Sequence, residues 1–373
     1  MIRRAGLLLL VVAACSSPEP PGALPDAAAL PAPDGPAQVT IDAAVIPVEP
    51  DARISRVVSC ADEPPPGARV PPPLPAYSGG ACPALVPGRN IISSGGAERQ
   101  FLLVVPADLD PAAKLPVLVM WHHIGGDAQG IVEVGGLQES SDLLRMLVIV
   151  PEKKGDLVVP GSTQDFAWPY LTLQNDARVE EEARFFDDMV TCVAQHYTVN
   201  ENCISSGGVS AGGLWTSQLL QVRADRLSSA IVLSGGIGPA LDIAGGFVDV
   251  RGFVPAEHRV PSIVLWGGPM DSCVVDFHAA STNLRAALVA AGHFLLECIH
   301  NCGHAAPPVD PAAGLSVLYR FVLDHPYWLE TGESPWLTTG MPAGTPEWCG
   351  LGPDSATIRV GECTSTGVDS GCP

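Results

Sequence analysis

From about residue 99, short apolar runs alternate with longer amphipathic stretches. The runs are 101–105 (FLLVV), 117–121 (VLVMW), 147–150 (LVIV), 203–209 (CISSGGV), 230–235 (AIVLSG), 262–267 (SIVLWG) and 294–299 (FLLECI). A strand with one wetted face would alternate apolar and polar residues, so these mostly unbroken runs predict parallel strands covered by helices on both faces. Between two of them, 276–291 puts Phe277, Ala280, Leu284, Ala287, Leu288 and Ala291 on one stripe and stops at Gly292, the signature of a helix and its stop. Further helices are expected at about 182–196, directly after Ser210, and near 311–324. This rhythm predicts a single α/β domain with a doubly wound, mostly parallel sheet. No internal repeat is present.

The flanks follow no such rhythm. Residues 16–75 are dominated by Pro, Ala and Asp, a composition that favours solvated, extended backbone and predicts a disordered tether. Ahead of it, MIRRAGLLLLVVAAC has two arginines, an apolar run too short to span a bilayer, then small residues before Cys15. Val12-Ala13-Ala14-Cys15 resembles a bacterial lipobox, which implies cleavage before Cys15 and a lipid anchor on its thiol. Ser16 in place of Asp implies, by analogy with known lipoproteins, sorting to the outer membrane or cell surface. The expected organisation is a signal peptide at 1–14, a lipidated tether at 15–75, a catalytic-type α/β domain at 76–325 and a Cys/Trp-containing extension at 326–373. Trp328, Trp336 and Trp348 and three cysteines in that last stretch predict a disulfide-pinned extension wrapping the domain.

Charge and cysteine content narrow the function classes. The formal net charge is −20, and losing Arg3 and Arg4 with the leader takes it to −22. With no basic stripe to meet phosphates, nucleic acid is not an expected partner. Ten cysteines follow Cys15, an even number that predicts disulfides in an exported chain. Cys298, His300, Cys302 and His304 cluster locally, but without paired C-x-x-C units they do not make the usual zinc pattern. No metal is expected.

Gly208-Val209-Ser210-Ala211-Gly212 carries the chemistry. In a chain with 39 glycines, Gly-x-Ser-x-Gly arises by chance about 0.3 times, so the motif alone decides little. Its context decides more. A β-type run enters the serine and a helix-compatible segment leaves it, the strand–turn–helix setting of a nucleophile elbow. A serine hydroxyl is a weak nucleophile at neutral pH and needs a base with an orienting acid. Asp271 sits on the loop after 262–267, whereas Asp276 reads as an acid opening the next helix. His304 lies on the loop after 294–299, between Gly303 and two prolines, and is the expected general base. The backbone N–H of Ala211, at a helix start, is the natural first oxyanion donor.

Four segments, VLVMWHHIGG, GGVSAGG, WGGPMDSCV and CGHAAPP, resemble the signature regions of the secreted polyhydroxybutyrate depolymerase and feruloyl or acetylxylan esterase group of α/β-hydrolases. The resemblance spans about 99–325. It implies an α/β-hydrolase fold, a serine esterase working through an acyl-enzyme on polyester or plant-polysaccharide and phenolic esters, and no cofactor. It implies Ile124 N–H as the second oxyanion donor, with His123 N–H as the alternative. Two departures stand out: His123 occupies a position where the group usually has Gly, and Ala305-Ala306-Pro307 replaces Trp-Pro after the base. The group's disulfide-stapled loops imply Cys273–Cys302, with Cys298–Cys302 as the competitor; Cys192–Cys203 is the other expected bond. In the insertion 158–182, Trp168 and Tyr170 are expected to stack on a substrate ring or to pack within a lid. His123 also leaves open a non-catalytic surface lipoprotein that uses the hydrolase scaffold for binding.

Overall fold

The computed structural model describes residues 58–158, 165–243, 246–310 and 314–363. The leader, Cys15, most of the tether and Cys372 lie outside the described residues. Thirteen strands are found among them: β1 (Gly88–Ser94), β2 (Ala97–Val104), β3 (Leu115–Trp121), β4 (Leu147–Pro151), β5 (Val199–Val209), β6 (Ser229–Leu233), β7 (Ala240–Ile243), β8 (Gly246–Asp249), β9 (Ser262–Trp266), β10 (Ser272–Cys273), β11 (Val275–Asp276), β12 (Leu295–Ile299) and β13 (Cys349–Leu351). Nine form one sheet in the order β1-β2-β4-β3-β5-β6-β9-β12-β13, while β7–β8 and β10–β11 are small ribbons. From β4 to β12 the neighbours run parallel, and both edges are closed by antiparallel strands.

Every predicted strand is present, and burial explains their mostly unbroken apolar runs. Val117, Val119 and Trp121 point into one core, and Leu118 and Met120 into the other. Because successive side chains leave opposite faces of a strand, a sheet covered on both sides needs apolar residues at both parities. The first core is covered by α3 (Asp176–His196), α4 (Ala211–Val222) and α5 (Phe277–Ala290). The second lies under α1 (Ala128–Val134), α2 (Leu137–Leu144), α6 (Ser316–Tyr319) and α7 (Phe321–Asp324). The helix expected near 311–324 is thus two short ones. α3 starts six residues before its expected position because Asn175 caps it and Glu182, wholly buried, pairs with Arg99 at 2.6 Å and Arg178 at 2.7 Å. A charged first turn conceals such a helix from a hydrophobicity pattern.

Two expectations are corrected. The tether does not reach residue 75. Cys60 is bonded to Cys203 in β5, Arg226 donates to the Pro73 carbonyl at 3.1 Å and Thr191 to the Pro75 carbonyl at 3.1 Å. Proline removes backbone donors but keeps the acceptors, so a proline-rich segment lies flat on a surface that supplies donors. The disulfides also differ from those expected: Cys82–Cys192, Cys298–Cys349 and Cys302–Cys363 join Cys60–Cys203, and Cys273 is likewise disulfide-bonded. Cys192–Cys203, Cys273–Cys302 and Cys298–Cys302 do not form. The last would have to close within four residues of one strand and its loop, whereas Cys298 stands directly opposite Cys349 on the neighbouring strand. The C-terminal extension is disulfide-pinned to the domain as expected, by Cys298–Cys349 and Cys302–Cys363, and its β13 completes the sheet.

Among the described residues, no helix is long and apolar enough to cross a membrane. Burial pushes the imidazoles of His122, His258 and His300 down to about 4, and that of His325 to about 3. These rings bind protons more weakly folded than unfolded, so unfolding takes up protons below about pH 6.5. Stability is therefore expected to fall as pH drops from about 6.5 toward 4, by about 1.4 kcal/mol per pH unit for each such ring. Thermal melts across that range check it; a flat Tm contradicts it. Replacing Cys60 and Cys203 together by Ala is expected to lower stability by about 2–4 kcal/mol, because the bond closes a very long loop in the unfolded chain. Urea titration of the double variant measures the loss.

Candidate active site

The carboxyl ends of β3, β5, β6, β9 and β12 line up along one edge of the sheet, where loops from parallel strands commonly build sites. Ser210 follows β5 directly and sits at φ 58°, ψ −121°, before α4 begins at Ala211. A non-glycine residue there is strained, and the surrounding contacts hold it. The turn is possible because Gly208 and Gly212 touch backbone: a Cβ at Gly208 would fall 2.1 Å from the Gly212 carbonyl oxygen, and one at Gly212 2.1 Å from that of Trp121.

β9 leads through a single 3-10 turn, Gly268–Met270, to Asp271, and β12 leads into the loop carrying His304. His304 Nε2 lies 3.0 Å from Ser210 Oγ, and His304 Nδ1 lies 2.7 Å from Asp271 Oδ1. A carboxylate at the second contact leaves Nδ1 as the N–H donor and turns the Nε2 lone pair toward the hydroxyl. Asp271 is wholly buried. Its second oxygen accepts from Ser234 Oγ and the Gly267 amide, each at 2.7 Å, so the buried carboxylate has three donors in all. The His304 ring also stacks on Phe277 at 4.2 Å with 15° between planes. Asp276, the alternative acid, caps α5 by accepting from the Ala279 amide at 2.8 Å.

Sequence reasoning missed Ser234 and Phe277. Ser234 has the sole further signal, a left-handed φ of 41° for a non-glycine at a strand end, and that signal exists only in the structure. Equally hidden was the contact that joins the loops carrying Asp271 and His304. The Gly303 amide donates to the Gly267 carbonyl at 3.1 Å, and a Cβ at Gly267 would lie 1.8 Å from the Gly303 oxygen. Around Asn301, Cys302–Cys363 and an Arg359 guanidinium contact of 2.9 Å hold the His304 loop against the C-terminal extension.

The loop after β3 faces Ser210 across the cavity. His122 is buried and neutral, and its Nδ1 donates to the His123 carbonyl at 2.8 Å, which also accepts from the Gly126 amide. In a trans peptide the C=O and the following N–H point in opposite directions, so pinning the His123 carbonyl turns the Ile124 N–H the other way. His123 Nδ1 bonds the Ile124 carbonyl at 2.7 Å in the same manner. The Ala211 N–H, first in α4, has no acceptor within its own helix. Trp168 Nε1 donates to the His122 carbonyl at 2.8 Å, and its ring packs edge-on against Trp121 with centroids 4.8 Å apart. Trp168 and Tyr170 are both fully buried. The substrate-stacking expectation for them is corrected: both belong to the core beneath the loop, because a large aromatic ring gains more from burial there than at a wet lid.

Ser210, His304, His123 and Ile124 share a cavity of about 300 Å³ with Ser234, Phe277 and a mostly apolar wall. Cys298 and Cys302 are both in disulfides, which removes the thiolates from the local Cys/His cluster.

No protein-family model matches the chain, and no curated protein matches it in sequence. Solved structures do match. Native pOPH superposes with TM-score 0.59 at 18% identity, covering 74% of this chain and 98% of that one. Native sOPH gives 0.59 at 20% identity, covering 74% and 99%. A ferulic acid esterase from Anaeromyces mucronatus in complex with ferulic acid gives 0.45 at 16% identity, covering 57% and 82%. With helices on both faces of a mostly parallel sheet and this shared topology, the chain has the α/β-hydrolase fold.

Proposed function

We propose that the protein is a serine esterase that cleaves carboxylic esters through an acyl-enzyme. The observation that carries this reading is the unbroken Ser210–His304–Asp271 hydrogen-bond chain, whose Ser210 and His304 line a mostly apolar cavity. Ser210 Oγ attacks the ester carbonyl while His304 Nε2 takes its proton. The same nitrogen then protonates the leaving alcohol. Asp271 holds the ring in the required tautomer and stabilises the imidazolium. The N–H groups of Ala211 and Ile124 receive the oxyanion; each such donor is worth about 3 kcal/mol of barrier. Water, activated by His304, releases the acid and restores Ser210. The acyl groups of polyesters and of plant-derived esters belong to this reading as candidate substrates.

Export belongs to the same proposal. The signal peptide, the lipid anchor on Cys15 and an outer-membrane or surface location are supported by the leader's composition. The disulfides support it too, since such bonds persist in oxidising compartments.

Ser210→Ala is expected to lower hydrolysis of p-nitrophenyl esters by at least about 10⁴-fold and to abolish labelling by a fluorophosphonate probe. A folded wild type that neither labels nor hydrolyses any ester contradicts the reading. Gly267→Ala forces the acid and base loops apart and is expected to reduce kcat on the order of 10²-fold, the usual effect of moving a reacting group by about 1 Å. Circular dichroism separates that loss from unfolding, and unchanged kcat in the folded variant contradicts the alignment argument.

A further inference from the structure

The loop after β3 is held from outside by the two residues that leave β4. Because β3 and β4 are parallel neighbours, the chain leaving β4 emerges beside the loop that faces Ser210. Glu152 Oε1 accepts from the Ala128 amide at 3.1 Å, and Lys153 Nζ donates to the Gly126 carbonyl at 2.8 Å. Two adjacent residues of opposite charge thus grip the downstream end of the loop, one through an N–H and the other through a C=O. The next lysine behaves differently. Lys154 pairs with Glu181 at 2.7 Å and Asp156 at 2.9 Å. Half-buried Lys153 makes no ion pair among the described residues, and its one hydrogen bond among them goes to a backbone carbonyl.

The residues it holds have little stiffness of their own. Gly125, at φ 73°, and Gly126 lie side by side, and glycine has the least restricted backbone. The Gly126 amide donates to the His123 carbonyl at 3.2 Å, and the direction of that carbonyl sets the opposite direction of the Ile124 N–H. A charge-assisted bond from Lys153 fixes the peptide plane that follows Gly126, and with it the amide on the other side of the same residue. The charge also reaches into the loop. Burial first, and then the Lys153 ammonium, keep the His122 ring neutral, with its one ring N–H on the Nδ1 that donates to the same His123 carbonyl.

We propose that Lys153 is a positioning residue for ester hydrolysis: by holding the Gly126 carbonyl it fixes the turn from His123 to Gly126 and keeps the Ile124 N–H directed at the oxyanion. The proposal rests on the esterase reading of Ser210, His304 and Asp271. Lys153 itself touches no reacting atom. Its effect falls on the transition state, since a misdirected donor matters little to a neutral ester carbonyl and much to the charge that develops on its oxygen.

The test uses the full-length protein with p-nitrophenyl butyrate as substrate. Lys153→Met keeps an unbranched side chain and removes the donor. Its kcat is expected to fall by between about 10-fold and 10²-fold with KM within about twofold of wild type, while Lys153→Arg, which keeps a cationic donor, stays within about threefold in kcat. A second measurement separates positioning from a general loosening of the cavity. A trifluoromethyl ketone with a matching alkyl chain takes Ser210 Oγ onto its carbonyl carbon, the proton passing to His304 Nε2, and so forms an oxyanion; the corresponding secondary alcohol binds without one. In Lys153→Met the ketone's inhibition constant is expected to rise by the factor by which kcat falls, and the alcohol's to stay unchanged, which also reports that the variant is folded. Unchanged kcat in Lys153→Met overturns the proposal. So does equal weakening of ketone and alcohol, or an Arg variant as slow as the Met one. If the wild type cleaves no ester and Ser210 resists a fluorophosphonate, the esterase reading itself has failed and this proposal falls with it.

Discussion

The buried carboxylate of Asp271 is the point on which the site depends. A carboxylate removed from water must find donors, and its three come from three chain segments: Ser234 after β6, the Gly267 amide after β9, and His304 on the loop after β12. Meeting that demand fixes the spacing of three strand ends at once. It also sets the tautomer of His304, and through it the direction of the Ser210 contact. Close backbone contact between Gly267 and Gly303 lets the loops carrying Asp271 and His304 come near enough for this to happen. The parallel order β5-β6-β9-β12 supplies the rest, because it places the ends of four consecutive neighbours along one edge.

The opposite wall is organised by the same principle of satisfied polar groups. His122, Trp168 and His123 each donate to a carbonyl of the loop after β3, so the peptide planes of that loop have fixed orientations. His123, the residue that departs from the esterase group's usual glycine, thus has a local structural role while its ring borders the cavity. Trp168 sits under the loop rather than in it, packed against Trp121, which in turn packs against Trp215, so this wall of the cavity is an extension of the core.

Disulfides give the outer parts of the fold a similar dependence. Cys60–Cys203 ties a proline-rich approach segment to the strand that carries Ser210, and Cys302–Cys363 ties the C-terminal extension to the loop that carries His304. Segments with little apolar surface of their own are held by cross-links and by side-chain donors to their carbonyls. The ends of the described chain therefore support the loops at the centre of the site.

Much of this was legible in the sequence. Seven strands, the helix after Ser210, the elbow and the candidate residues Asp271 and His304 follow from periodicity, chain order and residue chemistry. Each of those signals is carried by neighbours along the chain or by the order of elements in a fold with few allowed connections. Other features depended on contacts between residues far apart in sequence. The disulfide partners of Cys203 and Cys298, the burial of Trp168 and Tyr170, and the roles of Ser234 and Phe277 carry no local pattern. A cysteine or a tryptophan has the same composition signal wherever it packs. Local physics determined which segments became strands, helices and turns, whereas tertiary packing alone decided which side chains met, because meeting requires the sheet order and the loop paths to exist first.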